Sequence, residues 1–169
     1  MILSTANTFS YEKFKRPLRT YINDHMSPHE ETIEAESVLY HFGDNRYDEW
    51  PGFYDEYVRP PLQHARLNGS LSFGLAGTGS GVPFHTHGAV FAEVLHGQKR
   101  WFLYPPGPPP TFDPSRTTLY WLKHVYPGLP EDKKPVECVL RPGEIIYLPS
   151  HWWHATLNIG DTVFMSTFV

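Results

Sequence analysis

Residues 136–169 read "VECVLRPGEIIYLPSHWWHATLNIGDTVFMSTFV". Three apolar, β-branched runs are separated by Arg141-Pro142-Gly143 and by Ile159-Gly160-Asp161. Runs of this kind between turn residues read as strands. Working outward, "AVFAEVLHG" and "KRWFLYPP" flank Gly97-Gln98, which carries the signal of a tight hairpin. "SLSFGLAG", residues 70–77, alternates Leu71, Phe73 and Leu75 on one face. Strand after strand with this much turn punctuation argues for an all-β sandwich or barrel.

Helices are expected only at the periphery. Residues 10–26 read as a helical segment, with Phe14, Leu18, Tyr21 and Ile22 at helical spacing and Ser10 as a cap. Pro17 is expected to set its first true turn, where proline is tolerated. "SVLYHFG", residues 37–43, reads as a strand ended by Gly43. Residues 105–135 form a proline-rich insertion with one short helix expected near 116–126. The chain has 169 residues, enough for one domain with a sizeable core. Its 17 prolines and 13 glycines suit short strands and turns better than long helices. No internal repeat is present.

Charge and patterning exclude several classes of function. The net charge is −4 with histidine neutral, and no basic stripe exists, so nucleic acid is not an expected partner. No apolar run is long enough for a membrane span. Cys138 is alone, so no internal disulfide can form, and it reads as a small buried hydrophobe. Asn68-Gly69-Ser70 is a single glycosylation sequon, a frequency chance alone supplies. The start, "MILSTANTFSYEKF", has no basic region and only a short apolar run. Taken as a genuine start, it implies a cytoplasmic protein.

The chemistry gathers on histidines. In a strand, residues i and i+2 share a face, so His85 and His87 of "VPFHTHG" (82–88) can reach one ion while Thr86 points away. His154, preceded by two tryptophans, is the candidate third ligand. Three neutral imidazoles suit Zn, Fe, Cu or Ni and leave positions open for water or substrate. His25, His29, His41, His64, His96 and His124 are scattered and read as ordinary structural or surface histidines. His151 is expected at a loop rim beside the metal segment. Trp152 and Trp153 read as core, and Tyr120-Trp121 as the pair that pins the insertion helix.

Gly79 with His85 and His87, and Gly143, Pro149, His154 and Asn158, stand at spacings that resemble the two motifs of the cupin superfamily. The fit departs at His151, where cupins usually have glycine, and at Glu93, one position too distant from the histidine pair. "GQKRWFLYPP" and "LPSHWWHATLN" resemble segments of the JmjC branch more closely. "STANTFSYEKF", "FGDN", "GSGVPFHTHG" and "TTLYWLKHVYPGLP" add a resemblance to the JmjC domain-containing protein 8 family, from about residue 3 to the end. That resemblance implies a double-stranded β-helix, or jelly roll, over residues 1–169, shortened at its N-terminal side relative to the family. It implies Fe(II) and 2-oxoglutarate as cofactors, His85 and His154 as metal ligands, and Lys99 as the anchor of the co-substrate's distal carboxylate. Tyr40 and Thr167 match positions where relatives place further co-substrate contacts. It also implies residence in the endoplasmic reticulum lumen.

Position 87 departs from the branch, which has aspartate or glutamate there. Imidazole supplies no negative charge, so the site's net charge with Fe(II) rises by one unit. Glu93 is expected on the opposite face unless a bulge intervenes. Lys99 shares a face with Trp101 and Leu103, and a lysine on an apolar face calls for an anion, although snorkelling at a strand end is the alternative. Two functions therefore stand side by side. One is an Fe(II)- and 2-oxoglutarate-dependent protein hydroxylase with an atypical His-x-His motif. The other is a non-catalytic domain, with Zn or no metal, that binds protein partners through the 105–135 insertion. Nothing in the sequence assigns a catalytic residue beyond the metal site, fixes the oligomeric state, or supports a histone-directed role.

Overall fold

The computed structural model describes all residues except 8, 9, 11, 27, 31–33, 44, 45 and 61–68. His64 and Asn68 of the sequon lie outside the described residues. The elements are β1 (Ile2–Thr5), β2 (Lys13–Lys15), α1 (Leu18–His25), β3 (Leu39–Phe42), α2 (Pro51–Glu56), β4 (Ser70–Ala76), β5 (Val90–Tyr104), α3 (Thr118–His124), β6 (Val136–Leu140), β7 (Ile145–Leu148) and β8 (Trp153–Phe168). The strands are ordered β2-β1-β3-β4-β8-β5-β6, with β7 also paired to β5, and every pairing is antiparallel.

β5 and β8 organise the fold. The two long strands pair along almost their whole lengths, from Val90 opposite Phe168 to Tyr104 opposite Trp153. The first half of β5 also pairs with β7 and its second half with β6. The second half of β8 pairs with β4, and its first half pairs with the segment 80–85. Two-stranded ribbons thus wind into a double-stranded β-helix, the jelly roll that the family resemblance implies.

The expected hairpin at Gly97-Gln98 is not there. The chain bends at Gly97 without reversing, because both flanks keep β8 as their partner. Register shifts between Val94, His96 and Gln98 mark irregular pairing at that bend. Gly97 has φ +76°, and a Cβ there would lie 2.2 Å from the Asp161 carbonyl oxygen. Left-handed backbone serves a bend between sheets as well as a hairpin turn. Gly160, φ +76°, is the matching bend in β8, so that stretch too is one strand rather than two.

The N-terminal segment also differs from its helical reading. Lys13–Lys15 is a strand on β1, and the helix begins only at Leu18, after Pro17. Proline disfavours helix in the residue before it, which frees the preceding segment to pair. The insertion helix α3 is capped by the Thr117 side chain, which accepts from the Tyr120 backbone N–H at 3.1 Å. Trp121 is buried against Phe84 and Phe102, and its indole N–H donates to the Thr111 carbonyl at 2.9 Å. Trp121, rather than half-buried Tyr120, pins the helix. Cys138 is half-buried rather than fully enclosed. Among the described residues no helix is long and apolar enough to cross a membrane.

Candidate metal centre

Segment 80–88 runs antiparallel to the first half of β8. Asn158 and Thr156 donate backbone N–H bonds to the carbonyls of Ser80 and Val82, at 2.8 and 3.0 Å. One extra residue then intervenes, and His85 and His154 exchange a reciprocal pair of backbone bonds, at 3.1 and 3.0 Å. A Cβ at Gly81 would lie 1.8 Å from the Thr156 carbonyl oxygen, so only glycine permits this approach. The His151 N–H donates to the His87 carbonyl at 2.9 Å and ties the other end of the segment. His151 itself is exposed, with φ +65°, where glycine would be unstrained.

The three histidines converge. One ring nitrogen from each of His85, His87 and His154 lies within 4.8 Å of the other two. Each Nδ1 contacts a backbone carbonyl: Pro83 at 2.9 Å for His85, Gly88 at 2.7 Å for His87, and Trp152 at 3.0 Å for His154. A carbonyl only accepts, so each Nδ1 carries a proton, and in the neutral ring it is Nε2 that keeps the lone pair. This is how proteins fix the tautomer of a metal-binding imidazole. Burial pushes His85 down to about 4. It pushes His154 lower still, with the neighbouring His85 as the next cause. Both rings are therefore neutral at physiological pH, as ligands must be.

Lys99, Trp101 and Leu103 line the same inner face, opposite Asn158, Thr156 and His154 of β8. Lys99 is 4% exposed. Its ammonium donates to Asn158 Oδ1 at 3.0 Å and lies 3.6 Å from the centre of the Phe164 ring. Asn158 in turn donates through Nδ2 to Ser80 Oγ at 3.1 Å, which orients the amide. Burial lowers Lys99 to about 7, and its positive charge depresses both His85 and His154. The Phe42 ring packs tilted against Phe164, with centroids 5.4 Å apart, and Phe168 lies edge-on to the His87 ring at 5.2 Å.

The other predicted positions separate. Tyr40 lines a cleft of about 290 Å³ that reaches His85, together with Ser4, Lys13, Phe42 and Val82. Thr167 lies opposite Phe91 and Leu71, on the outer face. Its neighbour Ser166, opposite Ala92 and Ser72, faces inward. Glu93 lies opposite Met165, away from the imidazoles, and meets the Tyr57 hydroxyl. It does not join the histidines. His41 is fully buried in β3, with Nδ1 2.7 Å from the Ile2 carbonyl oxygen, as a structural histidine.

Asn158, read in the sequence only as part of a spacing, is the residue that holds Lys99.

Residues 5–167 match the profile of the cupin-like domain. The chain belongs to the cupin-like domain family. Within it, the chain is 48% identical to human JmjC domain-containing protein 8, over 99% of this chain and 63% of that protein. It therefore spans less than two thirds of the length of that relative. A chicken 2-oxoglutarate and iron-dependent oxygenase, JMJD4, is 34% identical over half of this chain and 23% of its own length. The Escherichia coli ribosomal oxygenase YcfD, solved with cobalt and 2-oxoglutarate, superposes with a TM-score of 0.56 at 16% identity. That match covers 98% of this chain and 38% of the bacterial one, and it establishes the shared fold.

Proposed function

We propose that this cupin-like domain is a metal-dependent oxygenase that uses 2-oxoglutarate to hydroxylate a protein side chain. The convergence of one ring nitrogen from each of three imidazoles, each with Nδ1 on a backbone carbonyl, carries the reading. The donor set fits Fe(II), Co(II) or Zn(II). When bound, Fe(II) would supply the redox chemistry by which dioxygen is divided between 2-oxoglutarate, which leaves as succinate and carbon dioxide, and a substrate C–H bond, which becomes C–OH. The chain's own part is to orient and to exclude water. The backbone bridge between His85 and His154 fixes the spacing of two ligands. Phe168 stands edge-on against His87. Three neutral ligands and a buried lysine leave the loaded site positively charged, so an anionic co-ligand is what its charge balance lacks.

The test is anaerobic loading of the full chain with Fe(II), followed by measurement of succinate released from 2-oxoglutarate, with and without a peptide library. Stoichiometric metal, lost in His154→Ala, and metal-dependent succinate are expected. A chain that neither retains metal nor forms succinate overturns the reading.

A second reading rests on a different observation. The Phe164 ring lies against the Lys99 ammonium, and the histidine cluster lacks a carboxylate. Both favour a domain that keeps the fold and binds protein partners without catalysis. Partner binding unchanged in a His85→Ala/His154→Ala double variant supports that reading over the first.

A further inference from the structure

Strand β4 has an open edge. The Val169 N–H donates to the Ala89 carbonyl at 3.1 Å, in register with Val90 opposite Phe168. Main-chain groups alternate sides along an antiparallel strand. Thr167 therefore turns its N–H and C=O toward β5, while Ser166 and Phe168 turn theirs toward Ser72 and Ser70 of β4. Leu71 and Phe73 in turn direct their main-chain groups away from β8. On that side β3 accompanies β4 only as far as Phe42 opposite Gly74, and the backbone turns at Gly43, φ +87°. The Tyr54 hydroxyl accepts from the Phe73 backbone and covers the edge there. Among the described residues, the N–H and C=O of Leu71 have no partner on the outer side.

A cavity of about 540 Å³ lies against this edge. Tyr47, Tyr54 and Tyr57 line it together with Ser70, Leu71 and Ser72, and no histidine is among its described lining residues. The rings are held in place from behind. Tyr47 stacks on Tyr54 and donates to Asp55, and the Tyr57 hydroxyl meets Glu93 of β5. The segment that carries the three tyrosines is acidic on its surface. Exposed Asp48, Glu49, Asp55 and Glu56 stand against exposed Arg46 and Arg59, four carboxylates against two guanidinium groups.

We infer that this edge is a docking groove for an extended basic segment of a partner protein, which adds to the sheet as a short strand beside β4. A donor and an acceptor on the same side of one residue are what another main chain pairs with. A helix satisfies its own backbone and would leave Leu71 unpaired. The tyrosine faces suit the aliphatic stems and cationic heads of lysine and arginine. The excess of carboxylates selects the same partners and rejects acidic ones. Tyr54 ends the pairing at Phe73, so the added strand is short and the ring contacts supply the rest of the affinity. The inference does not depend on a metal in the histidine cluster, and it places the partner surface outside the 105–135 insertion.

The experiment screens the full chain against an array of short peptides in which lysine or arginine alternates with varied residues, beside a matched array with glutamate in their place. The strongest binder is titrated by fluorescence anisotropy and followed by amide hydrogen exchange, with and without EDTA. Binding should be confined to the basic array and unaffected by EDTA. The Leu71 amide should exchange readily in the free chain and slow when the peptide is bound. Leu71→Pro removes the edge N–H at a position where an edge strand tolerates proline. That variant, or N-methylation of one alternate set of peptide amides, should weaken binding about fivefold to tenfold, the worth of one main-chain hydrogen bond. Tyr47→Ala should weaken it as well, whereas Tyr147→Ala, at a comparably exposed tyrosine on β7, should not. Should Leu71→Pro fail to fold, the N-methylated peptides and Tyr47→Ala decide the matter. A Leu71 amide already protected in the free chain means that this chain covers its own edge, and overturns the inference. Binding lost in EDTA assigns the peptide to the histidine cluster and overturns it too. So does a preference for the glutamate array, an absence of binding to either array, or a binder indifferent to N-methylation and to Tyr47→Ala.

Discussion

His85 and His154 are joined backbone to backbone, each N–H donating to the other's carbonyl at 3.1 and 3.0 Å. Their rings stand side by side, with centroids 4.1 Å apart, because the chains beneath them are locked. The bridge involves no side-chain atom. Ligand variants should therefore separate metal binding from folding.

His154→Ala should fold, with stability lowered by about 1–2 kcal/mol for a small buried cavity and a freed Trp152 carbonyl. Co(II) affinity should fall by more than about 100-fold, since a ligand matters more than its supporting partner. Urea unfolding of the metal-free chain and calorimetric titration with Co(II) measure the two effects separately.

His87→Asp should move the other way. It completes two histidines and one carboxylate, and it removes one unit of positive charge from the loaded site. Tighter binding of Fe(II) and Co(II), by about tenfold or more, is expected from the added Coulomb attraction in a partly enclosed site. Competition against a chromophoric chelator reads it directly, and weaker binding would show that the aspartate cannot reach the ion.

Lys99 gives stability a pH dependence of unusual sign. Burial lowers it from 10.5 to about 7. Between those values the unfolded chain holds a proton that the folded chain has released, so this contribution to stability rises with pH across the window. Below about 7 both states are protonated and the contribution is flat. Lys99→Met should abolish the rise and should be more stable than the parent at pH 7. Urea unfolding at pH 7 and pH 9.5, taken as the difference between parent and variant, checks it.

The histidines act in acid. The folded pKa values of His85 and His154 lie below the unfolded value of 6.5. Their contribution is complete above about 6.5 and is lost as pH falls toward the folded values. Each adds a slope of at most about 1.4 kcal/mol per pH unit. Melting temperatures between pH 7 and pH 4.5 should fall steeply in the parent and less in His154→Ala.

Gly81→Ala tests the approach of segment 80–88 to β8. The new methyl group would meet the Thr156 carbonyl oxygen at 1.8 Å, and backbone cannot yield as a side-chain tip can. A loss of about 2–4 kcal/mol is expected, together with weaker metal binding as His85 shifts. Thermal melts and Co(II) titration of the variant measure both.

Much of this was legible in the sequence, for identifiable reasons. Period-two patterning and turn residues gave the all-β class, and "VPFHTHG" and "LPSHWWHATLN" marked the three imidazoles that the fold assembles. What stayed hidden depended on tertiary partners. Gly97 has the same left-handed backbone in a hairpin and in a bend, and only continued pairing with β8 tells them apart. Thr167 and Ser166 differ by one position, which in a strand exchanges the inner for the outer face. The bend at Gly160 separates the halves of β8, so the face of Thr167 could not be extrapolated from His154. Lys13 lies in a stretch whose apolar spacing mimics a helix, and pairing with β1 overrides that local preference.

β8 has one more consequence, in the order of biosynthesis. It follows every other strand among the described residues, and it supplies His154 as well as the neighbour of β4 and of both halves of β5. During synthesis, β4 and the His85 segment have no β8 partner until residues 153–168 leave the ribosome. The His85–His154 bridge can close only then. Assembly of the three-histidine cluster thus waits for β8, however early His85 and His87 emerge.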